Sequence, residues 1–310
     1  METKLSFPGL GIGEFTVDSE AFSISGIPIA WYALIICMGM VFAVCYVIYR
    51  AGQMGINSDH IIDFALFVIP FGVLGARLYY VIMEIDSFDT IGEVFNIRGG
   101  GLAIYGGIIA GAITVFCVCK YKKIDFLAFA DCVVPGLIMA QSIGRWGNFM
   151  NGEAFGSLAG PNNFLRMGIY NWNSVDTFGV YDMVYVHPTF LYESLWNLVG
   201  FIGVNLFYKH KKYDGQIFLM IFGWYGLGRA WIEGLRTDSL YLFGSSIRVS
   251  QALAIVMFVV CTSLLVYFAV KKPDRPFYKM EAVDTANNEN KSVTAKDEAE
   301  NTDKNTDSEE

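Results

Sequence analysis

The stretch GRWGNFMNGE, Gly144–Glu153, sets one guanidinium, two carboxamides and one carboxylate at the end of an apolar run. A second group, YGLGRAWIEGLR from Tyr225, does something similar: at about 100° per residue, Tyr225, Arg229, Glu233 and Arg236 fall within an arc of about 80° and make one polar stripe. Guanidinium groups keep their charge and donate paired hydrogen bonds to phosphate oxygens, so Arg145 and Arg229 suit an anionic phosphate ligand. The plainer account is that Arg229 and Glu233 neutralise each other four residues apart. One glutamate does not balance two arginines, and that imbalance favours the phosphate.

The surroundings are made for lipid. Hydrophobic residues are 54% of the chain and charged residues 17%, which points to an integral membrane protein. Seven stretches are long and apolar enough to span a bilayer core, which takes about 20 helical residues. They run roughly over 27–49, 61–83, 101–119, 127–145, 190–208, 215–234 and 248–270, the third and fourth broken by glycines and the sixth carrying charge. The expected fold is therefore an all-α polytopic membrane protein with seven transmembrane helices. Residues 1–26 form an extracytoplasmic N-terminal segment, 27–270 the catalytic domain with an outer loop at 146–189, and 271–310 a cytoplasmic acidic tail.

Basic residues are retained on the cytoplasmic side. Arg50, the Lys120, Lys122 and Lys123 group, the Lys209, Lys211 and Lys212 group, and Lys271, Lys272 and Arg275 follow spans one, three, five and seven. The N-terminus is thus expected outside and the C-terminus inside. Residues 281–310 hold ten acidic and three basic residues and account for most of the net charge of −8. That tail has too little apolar surface to offset ordering entropy and is expected to be disordered. Glu2, Glu14, Asp18 and Glu20 precede the first span, so no cleavable signal is expected.

Ionisable side chains inside spans are costly and face the protein interior. On this topology Arg77, Arg145 and Arg229 lie toward the outer ends of their spans, while Tyr32, Tyr105, His187 and Glu193 lie near the outer starts of theirs. Asp63 and Asp131 fall near cytoplasmic ends, where capping or solvated carboxylates are expected. His187, followed by a proline at a loop-to-helix junction, is expected to be structural. The six cysteines fall inside apolar spans and are expected as packing residues. No cofactor and no metal is expected, because His60, His187 and His210 are far apart. GLGIGE at Gly9 lacks a preceding strand, so no nucleotide site is read there.

From these residues alone, one reading is an enzyme acting on a phospholipid headgroup. A transporter or flippase of an anionic lipid or metabolite is the alternative. Against it, the polar residues cluster on one side of the membrane, and no repeated halves occur. A helix-bundle scaffold is the third reading, in which the arginines serve assembly rather than turnover.

The thirteen residues GRWGNFMNGEAFG, Gly144–Gly156, resemble the signature of the prolipoprotein diacylglyceryl transferase family. Further blocks agree: WYALI at Trp31, GARLYYV at Gly75, GGGLAIYGGIIAG at Gly99, HPTFLYES at His187 and YGLGRAWIEGLR at Tyr225. The resemblance covers about residues 20–272. It implies a seven-span enzyme of the bacterial cytoplasmic membrane, with its site toward the outer leaflet, that moves the diacylglyceryl group of phosphatidylglycerol onto the lipobox cysteine of prolipoproteins. Its partners are phosphatidylglycerol, prolipoproteins and membrane lipids, with no nucleic acid. It further implies that Arg145 binds phosphatidylglycerol, that Asn148, Glu153 and Gly156 occupy positions the family needs, and that Tyr32, Tyr225, Arg229 and Glu233 match its other important polar positions. Arg229 is read with Arg145 as a second phosphate ligand. Tyr105 stands where several members have a histidine.

Overall fold

The structure, a computed structural model, describes residues 2–85, 88, 90–96, 100–237 and 248–271. The acidic tail from residue 272 and Gly99 of the glycine block lie outside the described residues. The chain divides into two units, residues 1–47 with 127–275 and residues 48–126 with 276–310.

Among the described residues six helices are long and apolar enough to cross a membrane: α1 (Trp31–Gln53), α2 (Ser58–Met83), α4 (Ile104–Lys122), α5 (Phe126–Asn151), α7 (Thr189–Phe207, continued by a 3-10 turn to His210) and α9 (Val249–Lys271). This is a multi-pass membrane protein. The expected sixth span is α8 (Gln216–Ile232), a helix of 17 residues that ends in a 3-10 turn over Glu233–Leu235. Two short helices complete the set among the described residues, α3 (Ile91–Phe95) and α6 (Trp172–Phe178).

Helices alone do not describe the fold, and here the expectation is corrected. The N-terminal segment forms strands β1 (Glu2–Phe7), β2 (Ile12–Asp18), β3 (Glu20–Ile24) and β4 (Ile27–Ala30), and the outer loop adds β5 (Met167–Tyr170) and β6 (Val184–Val186). They make a four-stranded sheet in the order β2-β1-β5-β6 and a separate β3-β4 hairpin. The sheet joins the N-terminal segment to the outer loop, with Lys4 opposite Tyr170 and Leu5 opposite Ile169. Its core contains Leu5, Phe7, Met167, Ile169, Val184 and Val186, packed with Phe155 and Phe190. GLGIGE does follow a strand, β1, but leads into strand β2 rather than a helix, so the geometry that would cradle a phosphate at a helix start is missing.

In the first unit α1 lies on α5 along a seam of small residues. A Cβ on Gly39 would stand 3.1 Å from the Ala140 carbonyl, and one on Gly136 would stand 3.2 Å from the Ala43 carbonyl. Such residues let membrane helices approach closely. Near the other end of the seam, Gly147 leaves room for the Tyr32 ring, which a Cβ would meet at 2.8 Å.

Asp131, wholly buried on α5, accepts hydrogen bonds from the N–H groups of Gly215 (2.8 Å) and Phe218 (2.7 Å) and contacts Lys211 Nζ at 2.8 Å. It thereby satisfies the start of α8, as a capping carboxylate does. Lys211, outside the spans, also meets Asp214 at 2.7 Å. Burial opposes the charge on Lys211, but the Asp131 and Asp214 carboxylates together outweigh it and raise the ammonium above its ordinary range.

In the second unit α2 and α4 pack through glycine. A Cβ on Gly75 would be 2.2 Å from the Ala110 methyl, and one on Gly106 would be 2.3 Å from the Gly75 carbonyl. Arg77 is 8% exposed and donates to the carbonyls of Val94, Gly100, Gly101 and Glu93 at 2.6–2.9 Å. Its guanidinium also lies 5.6 Å from the Tyr80 ring and 5.4 Å from the Phe88 ring. This arginine holds the glycine loop before α4 and the end of α3. At the opposite end of α2, Asp63 meets Lys122 at 2.6 Å, with His60 Nδ1 3.1 Å from the same ammonium.

Candidate functional site

The site lies in the first unit, where the end of α5, the start of α7 and the end of α8 are locked together by polar contacts. Between α5 and α7 the lock is reciprocal. Ser142 Oγ donates to the Ser194 carbonyl at 2.7 Å, and Ser194 Oγ donates to the Ser142 carbonyl at 2.9 Å. Trp146 Nε1 donates to Ser194 Oγ at 3.2 Å.

Between α7 and α8 the lock is a pair of indoles. Trp196 and Trp224 stack at 4.2 Å with 12° between planes, and each Nε1 donates to the other's carbonyl, at 2.9 and 2.8 Å. Gly200 and Gly228, one turn beyond each tryptophan, leave the space: a Cβ there would lie 2.4 Å from Trp224 Cδ1 or 2.2 Å from Trp196 Nε1. The spacing Trp-x-x-x-Gly occurs once on each helix.

Glu193 precedes both locks on α7 and is 2% exposed. Its Oε1 accepts from Arg145 Nη2 on α5 at 2.6 Å, and its Oε2 from Arg229 Nη1 on α8 at 3.1 Å. One carboxylate thus ties the two arginines together. Arg229 Nη2 also lies 2.6 Å from Glu233 Oε2, a charge contact without the alignment of a hydrogen bond. Both guanidinium groups remain partly open, at 18% and 15% exposure.

This corrects the expectation that a single glutamate is set against the two arginines. Two glutamates face two arginines, and the imbalance that favoured a phosphate is not there. What the geometry leaves is a donor: Arg145 Nε, buried, has no hydrogen-bond partner among the described residues.

The signature turn supports Arg145 from the other side. Arg145 Nη1 donates to Asn148 Oδ1 at 3.1 Å, while Asn148 Nδ2 and Asn151 Nδ2 both donate to Glu153 Oε1, at 3.0 and 3.2 Å. α5 continues to Asn151, past the expected end near 145, so Arg145 and Asn148 sit one turn apart on the same helix face. Gly152 then turns the chain at φ +59°, and a Cβ there would meet Asn171 Nδ2 at 2.3 Å and Thr3 Oγ1 at 2.5 Å. Asn171 Nδ2 donates to the Gly152 carbonyl at 2.8 Å. The sheet and the signature turn are therefore built against each other.

The remaining candidates fall into place around this chain of contacts. Tyr225 OH accepts from Gln141 Nε2 at 3.3 Å, and Gln141 Oε1 accepts from Asn197 Nδ2 at 3.2 Å. Tyr32, on the first turn of α1, is 37% exposed and rests on Gly147. Gly156 is set against the backbone: its N–H donates to the His187 carbonyl at 2.9 Å, and a Cβ would come within 3.0 Å of that oxygen and 2.8 Å of His187 Cβ. His187 Nδ1 lies 3.1 Å from Asn163 Nδ2 and 3.3 Å from Tyr192 OH. Tyr105, in the first turn of α4, belongs to the second unit.

Arg236 leaves the expected stripe. The α-helix stops at Ile232, and Arg236 has extended backbone, φ −74° and ψ 149°. The last carbonyls of this region are taken instead from the α9 side, by Gln251 Nε2 on Ala230 at 2.8 Å and by Arg248 on Glu233.

The sequence marks Glu193 as an ionisable residue inside a span, and so as a candidate, but gives it no role at the site. Its partners are 48 and 36 residues away, beyond helical spacing. The paired Trp-x-x-x-Gly spacing was the signal that could have placed α7 on α8.

Comparison with known proteins bears on the same segments. A model of the family prolipoprotein diacylglyceryl transferase matches residues 19–267. A phosphatidylglycerol–prolipoprotein diacylglyceryl transferase of Enterococcus faecalis (strain ATCC 700802 / V583) is 43% identical over 268 residues, covering 86% of this chain and 95% of the relative. One from Clostridioides difficile (strain 630) is 42% identical over 241 residues, covering 77% and 91%. A third, phosphatidylglycerol–prolipoprotein diacylglyceryl transferase 1 of Clostridium perfringens (strain 13 / Type A), is 41% identical over 267 residues, covering 83% and 97%.

Proposed function

The chain belongs to the prolipoprotein diacylglyceryl transferase family, and from that premise we propose that it moves the diacylglyceryl group of phosphatidylglycerol onto the thiol of a prolipoprotein's lipobox cysteine. The thiol loses its proton, sulfur attacks the terminal glycerol carbon of the lipid, a C–S bond forms, and the C–O bond to phosphate breaks. Glycerol phosphate leaves with the bonding electrons.

Two steps need help, thiol deprotonation and charge on the leaving phosphate. A cysteine thiol has a pKa of about 8.5, and a cationic field raises its reactive fraction. Arg145 and Arg229, ion-paired to Glu193 and Glu233 yet partly exposed, offer guanidinium donors to the phosphate, where a preorganised donor stabilises developing charge. The observation that carries this reading is their convergence on Glu193 from two helices, with Arg145 Nε left without a partner among the described residues. Glu193 and Glu233 fix the spacing of the guanidinium groups. Asn148, Asn151 and Glu153 orient Arg145, and Gly156 admits the close backbone crossing behind them. Tyr32 and Tyr225 offer hydroxyl groups to substrate or to its neighbours.

The proposal extends to topology. α8 is the sixth of seven spans, supported by its lock on α7 and by the caps at both its ends. The N-terminus faces outward and the site lies at the outer leaflet of the bacterial cytoplasmic membrane, supported by the basic residues after spans one, three, five and seven. The domain limits are 1–26, 27–270 with the outer segment 146–189, and 271–310 as a cytoplasmic tail. Incubating the purified protein with labelled phosphatidylglycerol and a lipobox peptide tests the function. A thioether lipopeptide and glycerol phosphate are expected, and recovery of both substrates intact would overturn it.

A further inference from the structure

The hairpin β3-β4 stands apart from the four-stranded sheet. Its two-residue turn, Ser25–Gly26, has φ of 52° and 82°, the left-handed pair whose twist matches right-handed strands. Phe22 pairs with Ile29 and Ile24 with Ile27, while Ser23 pairs with Pro28. Residues opposite each other in an antiparallel pair share a face, and successive residues alternate. One face therefore carries Phe22, Ile24, Ile27 and Ile29, and the other carries Ser23 and Pro28.

Phe22, Ile24 and Ile27 are 47%, 57% and 69% exposed. A lone two-stranded hairpin is marginal in water, so this apolar face needs a cover. The chain itself says what the cover is. β4 ends at Ala30 and α1 begins at Trp31, with no residue between hairpin and span. No charged residue occurs from Ala21 to Tyr49, so one uncharged surface runs from the hairpin into the span. At the junction stand Trp31 and Tyr32, 40% and 37% exposed, the residue types that settle at the membrane–water boundary.

We propose that the β3-β4 hairpin lies in the lipid interface, with Phe22, Ile24, Ile27 and Ile29 among the outermost acyl carbons and the Ser23–Pro28 face toward headgroups and water. It holds the first turn of α1, where Tyr32 rests on Gly147, at headgroup depth.

An environment-sensitive fluorophore on Ile27→Cys and, separately, on Ser23→Cys tests this in the full chain, reconstituted in phosphatidylglycerol–phosphatidylcholine vesicles. Unsubstituted protein labelled in parallel gives the background from the native cysteines. The Ile27→Cys label should be quenched several-fold by lipids carrying a nitroxide near the top of the acyl chain and little by aqueous iodide, with Ser23→Cys showing the reverse. Equal iodide quenching at both positions, without nitroxide quenching, would mean the hairpin stands in water and would overturn the proposal. Shielding of Ile27→Cys from both quenchers would overturn it as well, since protein, from this chain or a second copy, would then be the cover. Phe22→Cys on the other strand guards against local disruption and should repeat the Ile27→Cys pattern; the Ser23→Cys pattern there would count against the proposal.

Discussion

Glu193 and Arg145 meet at 2.6 Å across α7 and α5, and the second oxygen of the same carboxylate reaches Arg229 on α8. The carboxylate is buried and the guanidinium groups are partly open, so the cluster is held from inside and presents its cations outward. Removing the carboxylate charge leaves two facing cations with only Glu233 in contact. Glu193→Gln should lower stability by about 3 kcal/mol, the lower end for breaking a buried pair because both partners are partly exposed. Transfer should fall with it, and thermal unfolding in detergent beside the transfer assay measures both. An unchanged midpoint would show that the arginines do not depend on Glu193.

Arg145→Ala and Arg229→Ala each remove one donor proposed for the phosphate. Loss of such a donor costs about 3–4 kcal/mol of transition-state stabilisation, or roughly a hundredfold to a thousandfold in rate. Transfer of label to a lipobox peptide should drop to that extent in each variant while the protein still inserts into membranes. Turnover near that of the parent in either variant would remove it from the phosphate site.

Glu153 accepts from both Asn148 and Asn151, which is the geometry of an orienting group. Glutamine keeps a carbonyl acceptor at the same place but cannot take up a proton. Glu153→Gln should therefore retain turnover within a fewfold of the parent, whereas Glu153→Ala should lose most of it. If rates show the two variants equally impaired, Glu153 acts as the base.

Gly228 faces the indole of Trp196 at a distance no Cβ tolerates. Gly228→Ala must push apart the stacked tryptophans, an overpacking that typically costs about 1–3 kcal/mol. Near-ultraviolet circular dichroism should lose the intensity that stacked indoles produce, and thermal stability should drop. A spectrum and midpoint like the parent's would show that the lock yields without strain.

Arg77 serves backbone carbonyls rather than a substrate, so its loss should register as instability. Arg77→Lys replaces a planar fork with a single point donor and cannot reach four carbonyls. Thermal unfolding should come earlier, while KM for phosphatidylglycerol in the surviving fraction should stay near the parent value. A raised KM with an unchanged midpoint would instead assign Arg77 to the lipid.

What the sequence determined by itself is what short spacing can encode. Long apolar runs gave the six long helices, because a span must satisfy its own backbone bonds within one segment. The residues of Gly144–Gly156 gave the family, and charge inside apolar runs singled out Arg145, Arg229 and Glu233. The tertiary structure alone decided who meets whom. The sheet that joins the N-terminal segment to the outer loop was hidden because β1, besides its near neighbour β2, pairs with β5 more than 160 residues away. Arg77 and Arg145 read alike in the sequence, yet one is satisfied by the carbonyls of a glycine loop and the other by a carboxylate on a distant helix. Charge balance is a property of neighbours in space, and for that reason Glu193 became part of the site only when α5, α7 and α8 were seen packed together.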